Sequence, residues 1–466
     1  MPGAVRAVNF FMGTSRLAAL AWMGLWAFIA ILAFALPLSS AFAMGFLQTY
    51  EKALQNDKRL LVATAQTQAA QEAVPQARAR LLPQVSWTST RYQVDQSRKD
   101  AARSFPDQSY RSESDGLVLR QPVFQPRLWA GLRQTQAAVR ASEESLANEQ
   151  QNVMVRVAER YFDLILADAR IASVASQEKS ASQQLLAAQK ALEAGAGTRT
   201  DLLEVQAQLD RIRASALQAS QARLTALVQF EVLVGEPLKP GARLALRPFQ
   251  SSPFVPQDSL EAWVQKAYAG NNELAAAAER VQAAENALRA AGYEHYPSLD
   301  LVAQSVRSAS EETLLVNSET QTQSLGFSLT IPLYQGGAIS SRERQLQASL
   351  GEVRQQLALA QDNLKLEIAR TFYGLREGEL SIRALEKAQA SNQEALVANQ
   401  KSFLAGVRRS LDVLAAEQRL SQTQLDLQTA RLQFLLAWVR LQAFTGNASY
   451  DLAQQLDALF QASSGS

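Results

Sequence analysis

Apolar positions along this chain follow two periods, and the alternation between them sets out the elements. Two tracts, about 127–192 and 338–403, run without a proline and carry a narrow helical seam. Leu132, Val139, Leu146 and Val153 recur every seven residues, and Leu346, Leu350, Val353, Leu357, Ala360 and Leu364 keep a 4-3-4-3-4 spacing. Each tract predicts a helix of ~100 Å at 1.5 Å per residue, with a coiled-coil stripe in place of the wide face of a core helix. Shorter helices are predicted at about 49–80, ending ahead of Pro83, and at about 200–234. Elsewhere the period falls to two. Leu325, Phe327, Leu329, Ile331 and Leu333 alternate with Gly326, Ser328, Thr330 and Pro332, the pattern of a strand with one apolar face. Four strands are expected, at about 84–94, 114–124, 298–308 and 323–334. Alternation alone suits equally a half-buried strand of a soluble sheet and a strand with one face in lipid.

These elements occur twice. Lys52, Leu60, Ala70 and Pro83 match Lys266, Leu274, Ala284 and Pro297 at a constant offset of 214. "QPVF" at 121 matches "IPLY" at 331. From Ala158 onward the offset becomes 211, so that Tyr161 and Phe162 fall on Phe372 and Tyr373, Gly195 on Gly406, Asp201 on Asp412 and Gly235 on Gly446. The expected organisation is a first repeat over 44–235, a proline-rich connector over 236–259, a second repeat over 260–446, and a frayed tail over 447–466. Each repeat reads helix, two strands, long helix, turn, helix. The two shorter helices together nearly equal the long one, so stacked end to end they could lie along its whole length.

The first 43 residues read differently. Arg6 and Arg16 precede the apolar run "LAALAWMGLWAFIAILAFALPL", and "SSAFA" after it has small residues at 41 and 43. This is the pattern of a secretory signal peptide cut after Ala43; a retained membrane anchor is the alternative for a run of this length.

Composition removes most chemistry. The chain has no cysteine and one histidine, which excludes thiolate nucleophiles, cysteine-bound zinc, iron–sulfur clusters and any site needing two imidazoles. His295, in "GYEHYPSLDL", reads as a structural or exposed side chain. "GAG" at 195–197 follows a helix and not a strand, so it is no nucleotide loop. Lysine and arginine total 46 against 44 acids, a formal charge of +2 with no basic block, which argues against nucleic acid as a partner. No catalytic residue, cofactor or metal is expected. Four strands leave two open sheet edges, and unpaired backbone in lipid costs several kcal/mol per group, so strands entering a membrane must come from several chains closing one barrel.

One motif remains. "GTRTD" at 197–201 and "GVRRSLDVL" at 406–414 place an aspartate six residues after Gly195 and Gly406, with arginine between. As local structure, glycine would cap one helix and aspartate open the next.

The leader, the duplicated halves, the "QPVF" and "IPLY" strand ends and these paired turns resemble the TolC family of outer-membrane channels over nearly all of the mature chain. The resemblance implies a mainly α fold with a small transmembrane β part. Its duplicated units would form a homotrimer with a 12-stranded β-barrel in outer-membrane lipid, continued by an α-helical coiled-coil tunnel through the periplasm, the connector and tail forming an equatorial belt. It implies partners: a periplasmic adaptor and an inner-membrane transporter, ABC or proton-driven. By motif position it makes the turns at about 193–200 and 404–410 the periplasmic mouth. Asp412 would stand at the constriction, Arg408 would tie the mouth shut with Asp201 as acidic partner, and Phe403 would stand where a mouth tyrosine occurs. Arg199 and Arg409 add charge nearby. Ala415 stands where a second aspartate ring is found in the family, which leaves a single ring here. The unlipidated mature N-terminus suits an exit duct for type I protein secretion. A duct of a multidrug or metal efflux pump is the alternative, and a periplasmic coiled-coil scaffold without a pore is the alternative of another class.

Overall fold

The computed structural model describes residues 44–97, 99–100, 103–104, 106–238, 242–312, 315–405 and 407–464. The expected leader over 1–43, its cleavage after Ala43, and Gly406 lie outside the described residues.

The first repeat begins with α1 (Phe46–Asn56), α2 (Lys58–Gln71) and α3 (Ala73–Ala79), where one helix over 49–80 is expected. The break at Asp57 has a clear cause. Its backbone is extended, its carboxylate caps the next helix by accepting from the Arg59 N–H at 2.8 Å, and its other oxygen accepts from Arg156 Nε at 2.8 Å. The break at Glu72 is slight, with helical φ and ψ. It lies three residues before Pro75, whose missing N–H interrupts the ladder.

Four strands follow in two hairpins: β1 (Gln84–Gln96) with β4 (Gln108–Phe124), and β6 (Ser298–Glu312) with β7 (Leu315–Thr330). The short β2 (Lys99–Asp100) and β3 (Arg103–Ser104) extend the first hairpin. Both hairpins reach further into polar sequence than the alternation predicts, because the ladder is made by backbone groups and does not need apolar side chains. The last strand stops at Thr330 and not near 334. Pro332 has no N–H to donate, and the Ala338 N–H turns back to the Gln335 carbonyl to open the next helix.

The long helices α4 (Pro126–Glu193) and α5 (Arg199–Val234) complete the first repeat. The connector holds β5 (Ala242–Leu246). The second repeat contains α6 (Leu260–Gly270), α7 (Asn272–Gly292), then β6 and β7, α8 (Ala338–Leu404) and α9 (Ser410–Phe444). The tail is ordered, contrary to expectation. It folds as α10 (Tyr450–Asp457) and β8 (Phe460–Ser464), which pairs antiparallel with β5. Burial explains this: Leu452, Ala453, Leu456 and Phe460 enter the same core as Phe46, Tyr161, Phe162 and Phe230, where the aromatic rings meet edge-on, tilted or, for Phe46 and Phe460, stacked, 5.2–6.3 Å apart.

At the middle of the rod the shorter helices stack end to end beside the long ones, and glycine makes the joint possible. Gly446 has φ +75°, and a Cβ there would stand 2.5 Å from the Gly270 carbonyl oxygen. The repeat-equivalent joint joins Val234, whose carbonyl accepts from Asn56 Nδ2 at 2.9 Å, to the end of α1. The seams are packed as the heptads require: Leu132, Val139, Val153, Leu350 and Leu364 are buried, the remaining seam residues half-buried.

The sheet order is β1-β4-β6-β7, antiparallel throughout, so β1 and β7 are its edges. The registers place Val85, Trp87, Leu117, Leu119, Leu301, Leu325, Phe327 and Leu329 on one face, and Trp87, Leu325 and Phe327 are about 70% exposed there (69, 75 and 71%). The other face carries mainly small and polar residues, among them Ser86, Thr88, Gly116, Gln304, Gly326 and Ser328. No described helix is long and apolar enough to cross a membrane.

Candidate functional site at the helical tips

The far ends of the two long helices close with the same backbone device. After α4, the Ala196 N–H reaches the Ala191 carbonyl at 2.8 Å and the Gly195 N–H reaches Leu192 at 3.0 Å, with Gly195 at φ +71°. This is the six-to-one closure that a left-handed residue permits. After α8, the Val407 N–H reaches the Ser402 carbonyl at 2.9 Å, the bond 211 residues on.

The following helices open alike but not identically. Thr198 caps α5 by accepting from the Asp201 N–H at 3.1 Å, and its hydroxyl donates back to the Asp201 carboxylate at 2.6 Å. Arg409 stands where Thr198 does and has no acceptor to offer, so only the reciprocal half survives: the Arg409 N–H donates to Asp412 Oδ2 at 3.2 Å. Asp201 and Asp412 thus occupy the third position of their helices, where a carboxylate also meets the helix dipole favourably.

Arg408 lies 3.8 Å from Asp412 of its own chain, both more than 40% exposed, and not beside Asp201, whose carboxylate is taken by Thr198. The reason is spacing, since residues four apart at a helix start face each other whereas Asp201 lies on the other hairpin. Arg199 and Arg409 are exposed and make no ion pair among the described residues. Phe403 is 37% exposed in the last turn of α8.

Two neighbours escape the sequence reading. Leu404 and Val407 are 84% and 78% exposed, so the second tip presents an apolar cap where the first presents Glu193 and Ala196. An apolar pair flanking a turn glycine is the signal that could have disclosed them. Below the tips the hairpins hold together by small clusters, Val174, Ala181, Val205, Leu209, Ile212 and Leu414 in one and Leu396, Val413, Ala416 and Leu420 in the other. Among the described residues no group of acids and histidine is placed to hold a metal.

A second place was also missed. Arg156 of α4 binds both Asp57 and Glu149, the latter at 2.8 Å, and the three side chains are only 17, 6 and 23% exposed. The repeat equivalents are Glu367, Asn271 and Ala360, which form no such triad. They line instead a cavity of ≈480 Å3 between α4, α7, α8 and α9.

The outer membrane efflux protein family matches residues 49–236 and 263–447, the two repeats. The proteases secretion protein PrtF of Dickeya chrysanthemi is 30% identical over 428 residues, covering 91% of this chain and 92% of that one. The alkaline protease secretion protein AprF of Pseudomonas aeruginosa is 32% identical over 411 residues, covering 87% and 85%. Among solved structures, CusC superposes with a TM-score of 0.74 at 18% identity, over 88% of this chain and 95% of that one, which carries the fold. The sheet, rod and paired tips are therefore those of the outer membrane efflux protein family: this chain belongs to it, an outer-membrane channel of the TolC type.

Proposed function

We propose that three copies of this chain close head to tail into the exit duct of a type I secretion system, carrying protein across the outer membrane. The observation that carries this reading is a junction the single chain makes once and leaves open once. Helices α7 and α9 of the second repeat pack on α8 of their own repeat and also on α4 of the first. Their equivalents α2, α3 and α5 pack on α4, and the faces that would meet a second long helix are bare. Those faces carry Leu61, Val62, Leu217, Leu224, Val228 and Val232, all exposed. The opposite edge of the molecule offers Leu359, Leu366, Tyr373 and Leu380 on α8, exposed and seven residues apart. The heights agree. Leu380 stands ~36 Å from the end of α8, and Leu224 ~37 Å from the start of α5, at 1.5 Å per residue. The strand edges β1 and β7 are open on the same two sides.

Such head-to-tail surfaces close a ring or run on as a filament. Two copies would give eight strands, a barrel whose interior side chains fill, whereas three give twelve and leave a lumen. At the tips, Asp412 from three copies would converge as the constriction, with Arg408 and Asp201 pairing between hairpins and Arg199, Arg409 and Phe403 around them. Gly195 is the glycine of the first tip turn, and Gly406 is its repeat equivalent in the sequence. Exposed pairs of this kind contribute only about 0–1 kcal/mol, which suits a mouth opened by a docking partner. The apolar Leu404 and Val407 are the surface for the periplasmic adaptor, behind which stands the inner-membrane transporter. The relatives named for protease secretion favour protein over drug as cargo.

The absence of cysteine makes the ring directly testable. The intrachain pair Arg120–Val302 maps by the repeat offsets onto Thr330 of one copy and Thr88 of the next. Oxidation of Thr88→Cys/Thr330→Cys should give a covalent trimer, and deleting the gene should abolish secretion of its protease-type substrate. Monomers under all oxidising conditions, or undiminished secretion with raised drug sensitivity, would reject the respective half of the proposal.

A further inference from the structure

A cavity of ≈600 Å3 lies at the neck, where all four passages between helix and strand come together. It is lined by Arg80 after α3, Arg120 near the end of β4, Arg127 in the first turn of α4, and Tyr293, Glu294 and Tyr296 between α7 and β6. The strand residues bordering it, Gln84, Arg120, Ser298 and Thr330, lie on the face opposite the apolar band, as their registers with Val85, Leu119, Leu299 and Leu329 require. In a barrel whose apolar face meets lipid, this is the inner wall.

The three arginines are not equivalent. Arg120 donates from Nε to Asp300 at 2.9 Å, and Gln125 Nε2 donates to the other Asp300 oxygen at 2.6 Å. The buried carboxylate is thereby satisfied and the Arg120 charge balanced. Arg80 and Arg127 are exposed and have no carboxylate partner among the described residues. The only other acid on the wall, Glu294, is half-buried. Three arginines thus face two carboxylates, an excess of one positive charge per copy. Tyr293 and Tyr296 stand edge to face at 5.4 Å and give the site a rigid aromatic flank.

We propose that Arg80 and Arg127 form an anion-binding ring on the lumen wall at the neck, which takes carboxylate groups of passing polypeptide. It rests on the ring reading above, under which three copies bring six unpaired guanidinium groups around one lumen. Rings of arginine or lysine select anions where rings of aspartate select cations. The conduit therefore carries opposite preferences at two heights, acidic at the Asp412 mouth and basic at the neck. An extended acidic chain that passes the mouth meets a surface that holds it weakly at many points.

Planar-bilayer recording on the full-length purified protein tests this, in wild type and in an Arg408→Ala background that widens the mouth. In a salt gradient, Arg80→Gln/Arg127→Gln should raise the cation-to-anion permeability ratio by about threefold or more. Poly-glutamate added from the strand side should block the wild type, and block should weaken by about tenfold in the double glutamine variant and return in Arg80→Lys/Arg127→Lys, as a point charge predicts. Conducting channels with unchanged reversal potential and unchanged block would overturn the ring. Folded oligomers with no conductance in any variant would instead reject the conduit reading on which it depends.

Discussion

Replacing Arg156 by methionine separates a buried charge network from its exposed counterpart within one molecule. Arg156 reaches Asp57 through two nitrogens and Glu149 through a third, and Asp57 is 6% exposed. Methionine preserves most of the packing of the stem but leaves two carboxylates without their cation, one of them almost fully buried. Removing one partner of a buried ion pair costs about 3–5 kcal/mol, largely because the other charge is left uncompensated. Among the described residues the repeat-equivalent Glu367 pairs only with Arg370, three residues on, at exposed positions, where such pairs contribute about 0–1 kcal/mol. Arg156→Met should therefore lower the unfolding temperature clearly and speed thermal unfolding, while Glu367→Met should change little. The assay is heat- or denaturant-induced loss of the oligomer in detergent, read as a midpoint and a rate because unfolding of such an assembly is not expected to be two-state. Restoring the balance by Asp57→Asn/Glu149→Gln in the Arg156→Met chain should recover part of the loss. Equal effects at Arg156 and Glu367, or no recovery, would refute the argument that uncompensated charge is the cause.

Substitutions at three further places test the local geometry. Tyr161 is fully buried, its hydroxyl has no partner among the described residues, and its repeat equivalent is Phe372. Tyr161→Phe should therefore stabilise by about 1 kcal/mol, measured as a rise in midpoint. Burial pushes the Tyr161 phenol well above its ordinary value, so the folded state holds its proton longer than the unfolded one. Stability attributable to it is present below about pH 10 and lost as pH rises beyond, an alkaline decline that Tyr161→Phe should reduce. Gly446→Ala must hold a Cβ at φ +75° against the Gly270 carbonyl, and should cost at least about 1–2 kcal/mol with accelerated proteolysis at the equator. On the sheet, Leu325→Arg places a charge on the apolar band at a cost of about 2–4 kcal/mol and should reduce the membrane-inserted oligomer. The neighbouring Ser324→Arg, on the opposite face, should insert normally and change conductance.

The long helices were legible because their seams repeat every seven residues, and a period sustained over so many turns has only one conformation that buries it. Leu325, Phe327 and Leu329 disclosed a strand for the same reason. The edges of these elements were not legible. Thr330 ends β7 because Pro332 cannot donate, and β4 begins in polar sequence because backbone pairing carries it. Asp57 breaks a helix that its own segment would continue, since a cation 99 residues away claims its carboxylate. The tail looked unstructured because Leu452, Leu456 and Phe460 have no partner nearby in sequence. Their partners are Phe46 and Tyr161, some 300 to 400 residues away. At the tips, glycine and aspartate were visible as a repeated motif, but the choice of Arg408 for its own Asp412, and of Thr198 for Asp201, follows from which groups face each other on a helix turn.

The amino-acid sequence alone determined the duplication, the order of elements in each half, and the chemistry that is absent, because these depend on periodicity, spacing and residue type. Tertiary structure alone decided that the two halves are not equal. The first repeat holds a buried Asp57–Arg156–Glu149 triad where the second has a cavity, and α2, α3 and α5 are left bare where α7 and α9 are covered. Such differences arise from contacts between residues far apart in the chain, whose free energy depends on distance and burial and is carried by no local pattern.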